Sequence, residues 1–162
     1  MTGNVGGRRP AATSAQARPD IAAMQAALAA EQAASYGYGV VGSHLTGSRF
    51  TAATADWVAH DRARDALTAM IAARGGRPRP AAAAYRLPIS VTTSRQAIAL
   101  AIMLERQVTA AYLGLVAASD PVLRTFAAQN MRDTAIREAR WSDRPQAFPG
   151  LPASSLKVAR RQ

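Results

Sequence analysis

The 162-residue chain fits one domain with tails and is too short for two ordinary domains side by side. An apolar share of 49% and a charged share of 19% predict a soluble body with one core, and no uncharged apolar run of roughly 18 residues is present to span a membrane. The lack of cysteine excludes disulfides, zinc fingers, iron–sulfur clusters and a thiol nucleophile, so any metal must be held by His, Asp or Glu.

The net charge of +10 invites a nucleic-acid reading, but its placement argues against a reading helix. Residues 1–19 hold Arg8, Arg9 and Arg18 without an acid, and residues 144–162 hold Arg144, Lys157, Arg160 and Arg161 without one, so the ends carry seven of the ten. Residues 74–95 add Arg74, Arg77, Arg79, Arg86 and Arg95, again without an acid, which leaves the helical remainder slightly negative. Lys157 is the sole lysine, and with abundant alanine the arginine bias reads as that of a GC-rich genome, which needs no partner. The arginines of the first 19 residues are not followed by an apolar stretch, so no secretory signal is predicted and the expected location is cytoplasmic.

Residues 1–19 read as a disordered basic tail, after which Asp20 stands where an N-cap would open the first helix. Ile21, Met24, Leu28, Glu31, Ser35 and Tyr38 then step by three and four, one stripe of a bundle helix. Gly37, Gly39 and Gly42 are costly inside a helix and predict a close helix approach or a bend. His44 reads as a partner for the helix's C-terminal carbonyls or a surface residue. After the Thr46-Gly47-Ser48 break a second helix is predicted from about Thr51 to Arg74, with Trp57, His60, Arg64, Leu67 and Ile71 as its stripe and Gly75-Gly76 as its stop.

The following stretch, close to 20 residues with three prolines, is too long for a bundle turn and reads as an extended crossover. Ser94 is the predicted cap of a third helix reaching about Ala118, with Ile98, Ala101, Glu105, Val108, Tyr112 and Leu115 on its stripe. Ser119-Asp120-Pro121 opens a fourth through Leu123, Ala127, Met131, Thr134, Glu138 and Trp141. Residues 144–162, with prolines at 145, 149 and 152, read as an extended or disordered basic tail. The predicted fold is all-α over residues 20–143: two helical hairpins joined by a long crossover, the connectivity of ferritin-like four-helix bundles.

The chain has three glutamates, Glu31, Glu105 and Glu138, and each falls on the apolar stripe of a different helix, while the remaining helix places His60 on its stripe. All four are expected to converge near mid-bundle. An ionised carboxylate in a core costs several kcal/mol unless paired, protonated or metal-bound, so the placements call for a shared explanation. One is metal: ferritin-like di-iron sites take a Glu from each of two helices and Glu-x-x-His from the other two. Here Trp57 stands where the second helix needs its Glu and Trp141 where the fourth needs its His, so a di-iron centre is not expected, although a single divalent ion, iron or manganese, held by some of the four is an alternative with Asp56 orienting the imidazole. The other, preferred because both losses are to bulky tryptophans, is a metal-free polar network with Arg64, one turn after His60, as countercharge. No phosphate loop, nucleophile elbow or Ser/His/Asp arrangement is present.

The segments ALAAEQAASYGYGVVGSHL, AHDRARDALTAMIAARG, AAYRLP and AIALAIMLERQVTAAYLGLVAAS resemble those of an actinobacterial ferritin-like domain family of uncharacterised function, over roughly residues 20–143. The resemblance implies a ferritin-like bundle that pairs into dimers and implies no established reaction; Glu31, His60, Glu105 and Glu138 would form its polar centre. The expected role is therefore binding or assembly without ferroxidase activity and without a cofactor. The alternatives are a metal-binding oxidase or iron-handling protein, and nonspecific nucleic-acid binding through the basic tails; the C-terminal SSLKVARRQ is a candidate docking peptide for a protein partner.

Overall fold

A computed structural model describes residues 14–142, which form four α-helices and no strand: α1 (Ser14–Ser43), α2 (Gly47–Ala73), α3 (Ser94–Val116) and α4 (Pro121–Ser142). The expected tails lie largely outside these residues.

The helix ends follow local chemistry. Gly47, at a φ of 58°, takes the left-handed turn between α1 and α2, and Gly75, at 74°, closes α2 while the Gly76 amide donates to the carbonyl of Ile71. α3 opens on a capping box in which the Thr93 hydroxyl receives the Gln96 amide and the Gln96 side chain receives the Thr93 amide, so Thr93 and not Ser94 is the cap. At the start of α1 the expectation fails. The helix begins at Ser14 and runs through Pro19, which forgoes one backbone hydrogen bond, and Asp20 is no cap: its carboxylate receives the amide and hydroxyl of Ser119 at the opposite end of α3. His44 does serve the end of α1, its Nδ1 lying 3.0 Å from the carbonyl of Val40.

α1 packs against both α2 and α3, and α3 packs against α4. The Asp20–Ser119 bond at one end and that from the Ser94 hydroxyl to the His44 carbonyl at the other make α1 and α3 antiparallel, hence α2 and α3 parallel. The crossover must therefore run the length of the bundle. Gln25 and Gln32 of α1 hold the backbone of Arg77 and Arg79, and Leu87, Ile89 and Val91 pack on the lower core. That core, around Tyr38, Val41, Leu100 and Trp141, is distinct from one around Met24, Leu28, Leu67, Tyr112 and Leu123 towards the other end. α3 alone among the described helices is long and apolar enough to cross a membrane by length and composition, and it packs on both α1 and α4.

Of the three costly glycines, Gly37 has a packing reason: a Cβ there would stand 2.6 Å from Leu104 Cδ1, so α1 and α3 approach closely at this point. Gly37→Val is expected to cost roughly 1–3 kcal/mol by overpacking. Combining it with Leu104→Ala should give less than the sum of the two single losses in denaturant unfolding; strict additivity would place the two residues out of contact.

Candidate functional site

Glu31, His60, Glu105 and Glu138 are all buried. Three of them meet. His60 Nδ1 lies 2.6 Å from Glu31 Oε2 and Nε2 lies 3.1 Å from Glu105 Oε1. A carboxylate can only accept, so an imidazole set between two carboxylates donates from both nitrogens and is an imidazolium. Burial pulls the imidazole pKa down, but hydrogen bonds and charge interactions with Glu105 and Glu31 overcome it and raise it from 6.5 to about 9.

The surrounding groups complete the cluster. Glu31 Oε1 accepts from the Tyr112 hydroxyl at 2.8 Å, and Glu105 Oε1 from the Tyr38 hydroxyl at 2.6 Å. Burial raises the pKa of both phenols, with the adjacent carboxylates adding to the effect, so both stay donors. Arg137 of α4 lays its Nε between the two Glu105 oxygens, at 3.0 and 3.1 Å. Burial pushes the Glu105 pKa up, yet the bond and charge of His60 and the charge of Arg137 bring it below its usual 4.5. One α4 guanidinium thus joins an α1–α2–α3 chain of contacts.

Glu138 is buried but stands apart: Oε1 accepts from Arg106 Nε at 2.7 Å, while Oε2 has no partner among the described residues. All four are in the interior as expected, but only Glu31, His60 and Glu105 are joined by hydrogen bonds, and Glu138 is held by Arg106 instead. Among the described residues no group of three or more acidic or histidine side chains is arranged to hold a metal ion. The residues fit a di-metal centre poorly, because both His60 nitrogens and both Glu31 oxygens are already engaged in hydrogen bonds.

Three expectations about α2 need correction. Trp57 is 43% exposed and fills no vacated ligand position. Arg64 pairs with Asp61 and Asp65 on its own helix and gives nothing to the centre. Asp56 is buried but does not orient His60; it accepts from Trp141 Nε1 at 2.9 Å and from Arg140, with the Tyr38 hydroxyl, committed to Glu105, 3.5 Å away. The cause is a shift of one residue in the buried stripe, which runs Ala53, Asp56, His60, Ala63, Leu67 and Ile71. Positions three and four before His60 are equally good neighbours on a helix, so spacing could not choose between Asp56 and Trp57.

The sequence reading missed the arginines. Arg106, Arg137 and Arg140 match Glu138, Glu105 and Asp56 one to one. Their signal is weak, since each sits in a run of charged residues and only the burial of its partner identifies it. Trp141, by contrast, is buried where the reading placed it, and its indole nitrogen gives it a polar task beyond filling space.

Removing one partner of a buried, matched set leaves the others uncompensated. Glu105→Ala should therefore cost roughly 3–5 kcal/mol, and Glu105→Gln less, in urea unfolding; small and equal losses would mean that water reaches the site. The pH dependence has two limbs. The raised His60 pKa contributes stability that is complete below pH 6.5 and lost as the pH rises through about 9. The lowered Glu105 pKa contributes stability that is complete above 4.5 and lost as the pH falls. Melting temperature should plateau between about pH 5 and 6.5 and fall on both sides, with His60→Gln flattening the alkaline limb. An unchanged alkaline limb in that variant would refute the imidazolium assignment.

A family model described as a domain of unknown function, DUF4439, matches residues 23–153. The chain is similar to a conserved hypothetical protein, rv2844, from Mycobacterium tuberculosis: at 31% sequence identity its crystal structure gives a TM-score of 0.76, covering 78% of this chain and 96% of that one. No curated protein matches the sequence. By the extent of the family match, which takes in all of α2, α3 and α4 and most of α1, the chain belongs to the DUF4439 family.

Proposed function

We propose that the protein is a ferritin-like bundle in which a closed set of ion pairs occupies the place of a metal centre, and that it acts by binding or assembly without ferroxidase turnover. The observation that carries this reading is His60, shared as a double donor between Glu31 and Glu105 with Arg137 on the far side of Glu105. Two cations already neutralise two carboxylates there, so a divalent ion would have to displace a proton and compete with a guanidinium. The parallel α2 and α3, joined by a crossover along the bundle, support the ferritin-like assignment. On the outside, Phe50 and Trp57, seven residues apart on one stripe of α2 and 50% and 43% exposed, offer the aromatic surface that association uses, and a homodimer is the expected unit.

A second reading has one observation in its favour. Among the described residues Glu138 Oε2 is buried without a partner, so this carboxylate has capacity left for a single iron or manganese ion.

Metal analysis of protein purified without a His-tag separates the two. The first reading expects well under one equivalent of iron or manganese, and no oxygen uptake on adding ferrous iron beyond that of His60→Ala. Metal retained near one equivalent and lost in Glu138→Ala would establish the second reading instead. Sedimentation velocity on the same sample should give the mass of a dimer, reduced towards a monomer by Trp57→Ser.

A further inference from the structure

We propose that the outer face of the crossover binds single-stranded nucleic acid, through a file of arginines interrupted by a tyrosine pair. Of the five arginines between residues 74 and 95, Arg74 is taken by Asp120. Arg77, Arg79, Arg86 and Arg95 are exposed and make no ion pair among the described residues.

The file is built rather than loose. Gln25 Nε2 donates to the Arg77 carbonyl at 2.7 Å, its Oε1 receives the Arg79 amide at 3.0 Å, and Gln32 Nε2 donates to the Arg79 carbonyl at 2.9 Å. With these backbone groups turned to α1 and φ fixed by Pro78 and Pro80, the side chains of Arg77 and Arg79, two residues apart, extend into solvent. Further along, the Tyr85 hydroxyl receives the Ala82 amide and donates to Gln32, which holds its ring 5.6 Å from that of Tyr36. Tyr36 is 38% exposed. Beside this pair lies a cleft of about 240 Å³ whose lining includes Arg86, Pro88 and Gln107. Arg95 ends the file next to Ser94, which bonds the His44 carbonyl. From the level of Gln25 to that of His44 the file spans roughly 28 Å.

The charge on this face has no local answer. α1 and α3 carry three acids: Glu31 and Glu105 are buried, and Asp20 is held by Ser119 at the end of the bundle. The other surface acids among the described residues are Asp61, Asp65 and Asp133, on α2 and α4, and Asp120 in the turn before α4, which is taken by Arg74. A single file of cations with aromatic rings along it is the chemistry of a single-strand track, in which arginines follow phosphates and bases stack on the rings. A duplex reader would present a helix to a groove. A membrane face would present a group of apolar side chains to insert, and the large exposed aliphatic and aromatic ones other than Tyr36 lie mostly on α2 and α4, Phe50, Trp57, Val58, Val122 and Ile136, with Leu113 on α3.

The test is fluorescence anisotropy of a labelled oligothymidylate of about 20 nucleotides against the full chain, between about 50 and 200 mM salt. Three variants are compared with the wild type: R77Q/R79Q/R86Q/R95Q, Tyr36→Ala, and one in which the seven tail cations are changed to glutamine. The crossover variant should bind at least about tenfold more weakly at the lower salt and reduce the log–log salt slope by about 3, at roughly 0.7 per phosphate contact. Tyr36→Ala should weaken binding at least about fivefold, and the tail variant should keep its sensitivity to Tyr36→Ala. The altered side chains in the described residues are exposed, so unchanged thermal melts are expected of each. Absence of binding, loss confined to the tail variant, tighter binding to a duplex of the same length, or equal binding to anionic vesicles that Tyr36→Ala does not alter would each overturn the proposal.

Discussion

One shared proton acceptor–donor arrangement, the His60 imidazolium between Glu31 and Glu105, determines how the bundle is assembled. It links α1 to α2 and α2 to α3 through a single ring. Arg137 then ties α4 to Glu105, Arg106 ties α3 to Glu138, and Arg140 with Trp141 ties α4 to Asp56 on α2. Each helix is therefore registered against its neighbours by at least one buried ionic contact. The gain in net stability from such pairs is small or negative relative to a well-packed apolar core, because each ion must leave water. Their effect is on which arrangement is chosen: sliding one helix by a turn would leave a charge buried alone, at several kcal/mol.

That selectivity matters because the apolar surfaces discriminate poorly. α1 is rich in alanine, and small, similar residues allow several registers of nearly equal packing. Gly37 against Leu104 is the exception, a single notch that admits only close approach. Along the bundle the polar layer separates two apolar clusters, so large side chains such as Met24, Leu28 and Leu123 fill one end and Val41, Leu100 and Trp141 the other. The crossover adds a strap: glutamines of α1 hold its first residues, and Leu87, Ile89 and Val91 bring its second part onto the lower cluster.

What could be read from the sequence was what a helical period reveals. Four helices, their breaks at Gly47 and Gly75, the proline that opens α4 and the burial of three isolated glutamates all follow from spacing and from the scarcity of acids in the chain. What could not be read was the choice between positions three and four residues apart. Asp56 and Trp57 both neighbour His60 along α2, and Arg137 and Glu138 both neighbour Thr134 and Trp141 along α4. In the first case the wrong one was placed inside; in the second both contribute, Glu138 to Arg106 and Arg137 to Glu105. Neither outcome depends on local propensity. Each depends on the partner supplied by another helix, which a single-chain period does not contain.

The interior also explains the exterior. Asp and Glu number ten against twenty Lys and Arg, and four of those acids, Glu31, Asp56, Glu105 and Glu138, are buried. Their countercharges are His60 and arginines of α3 and α4, so the cations answering the core come from the helices and none from the crossover. α2 retains Asp61 and Asp65 at its surface and uses them on its own Arg64. The remaining acids among the described residues are placed elsewhere, Asp20 on Ser119, Asp120 on Arg74 and Asp133 on Arg132, so Arg77, Arg79 and Arg86 of the crossover and Arg95 at the start of α3 have no ion-pair partner there. A bundle that neutralises its centre with its own few carboxylates thereby separates charge across its surface. The positive face is a consequence of how the core is held, and any anionic partner that meets it meets a surface whose backbone is already fixed by Gln25 and Gln32.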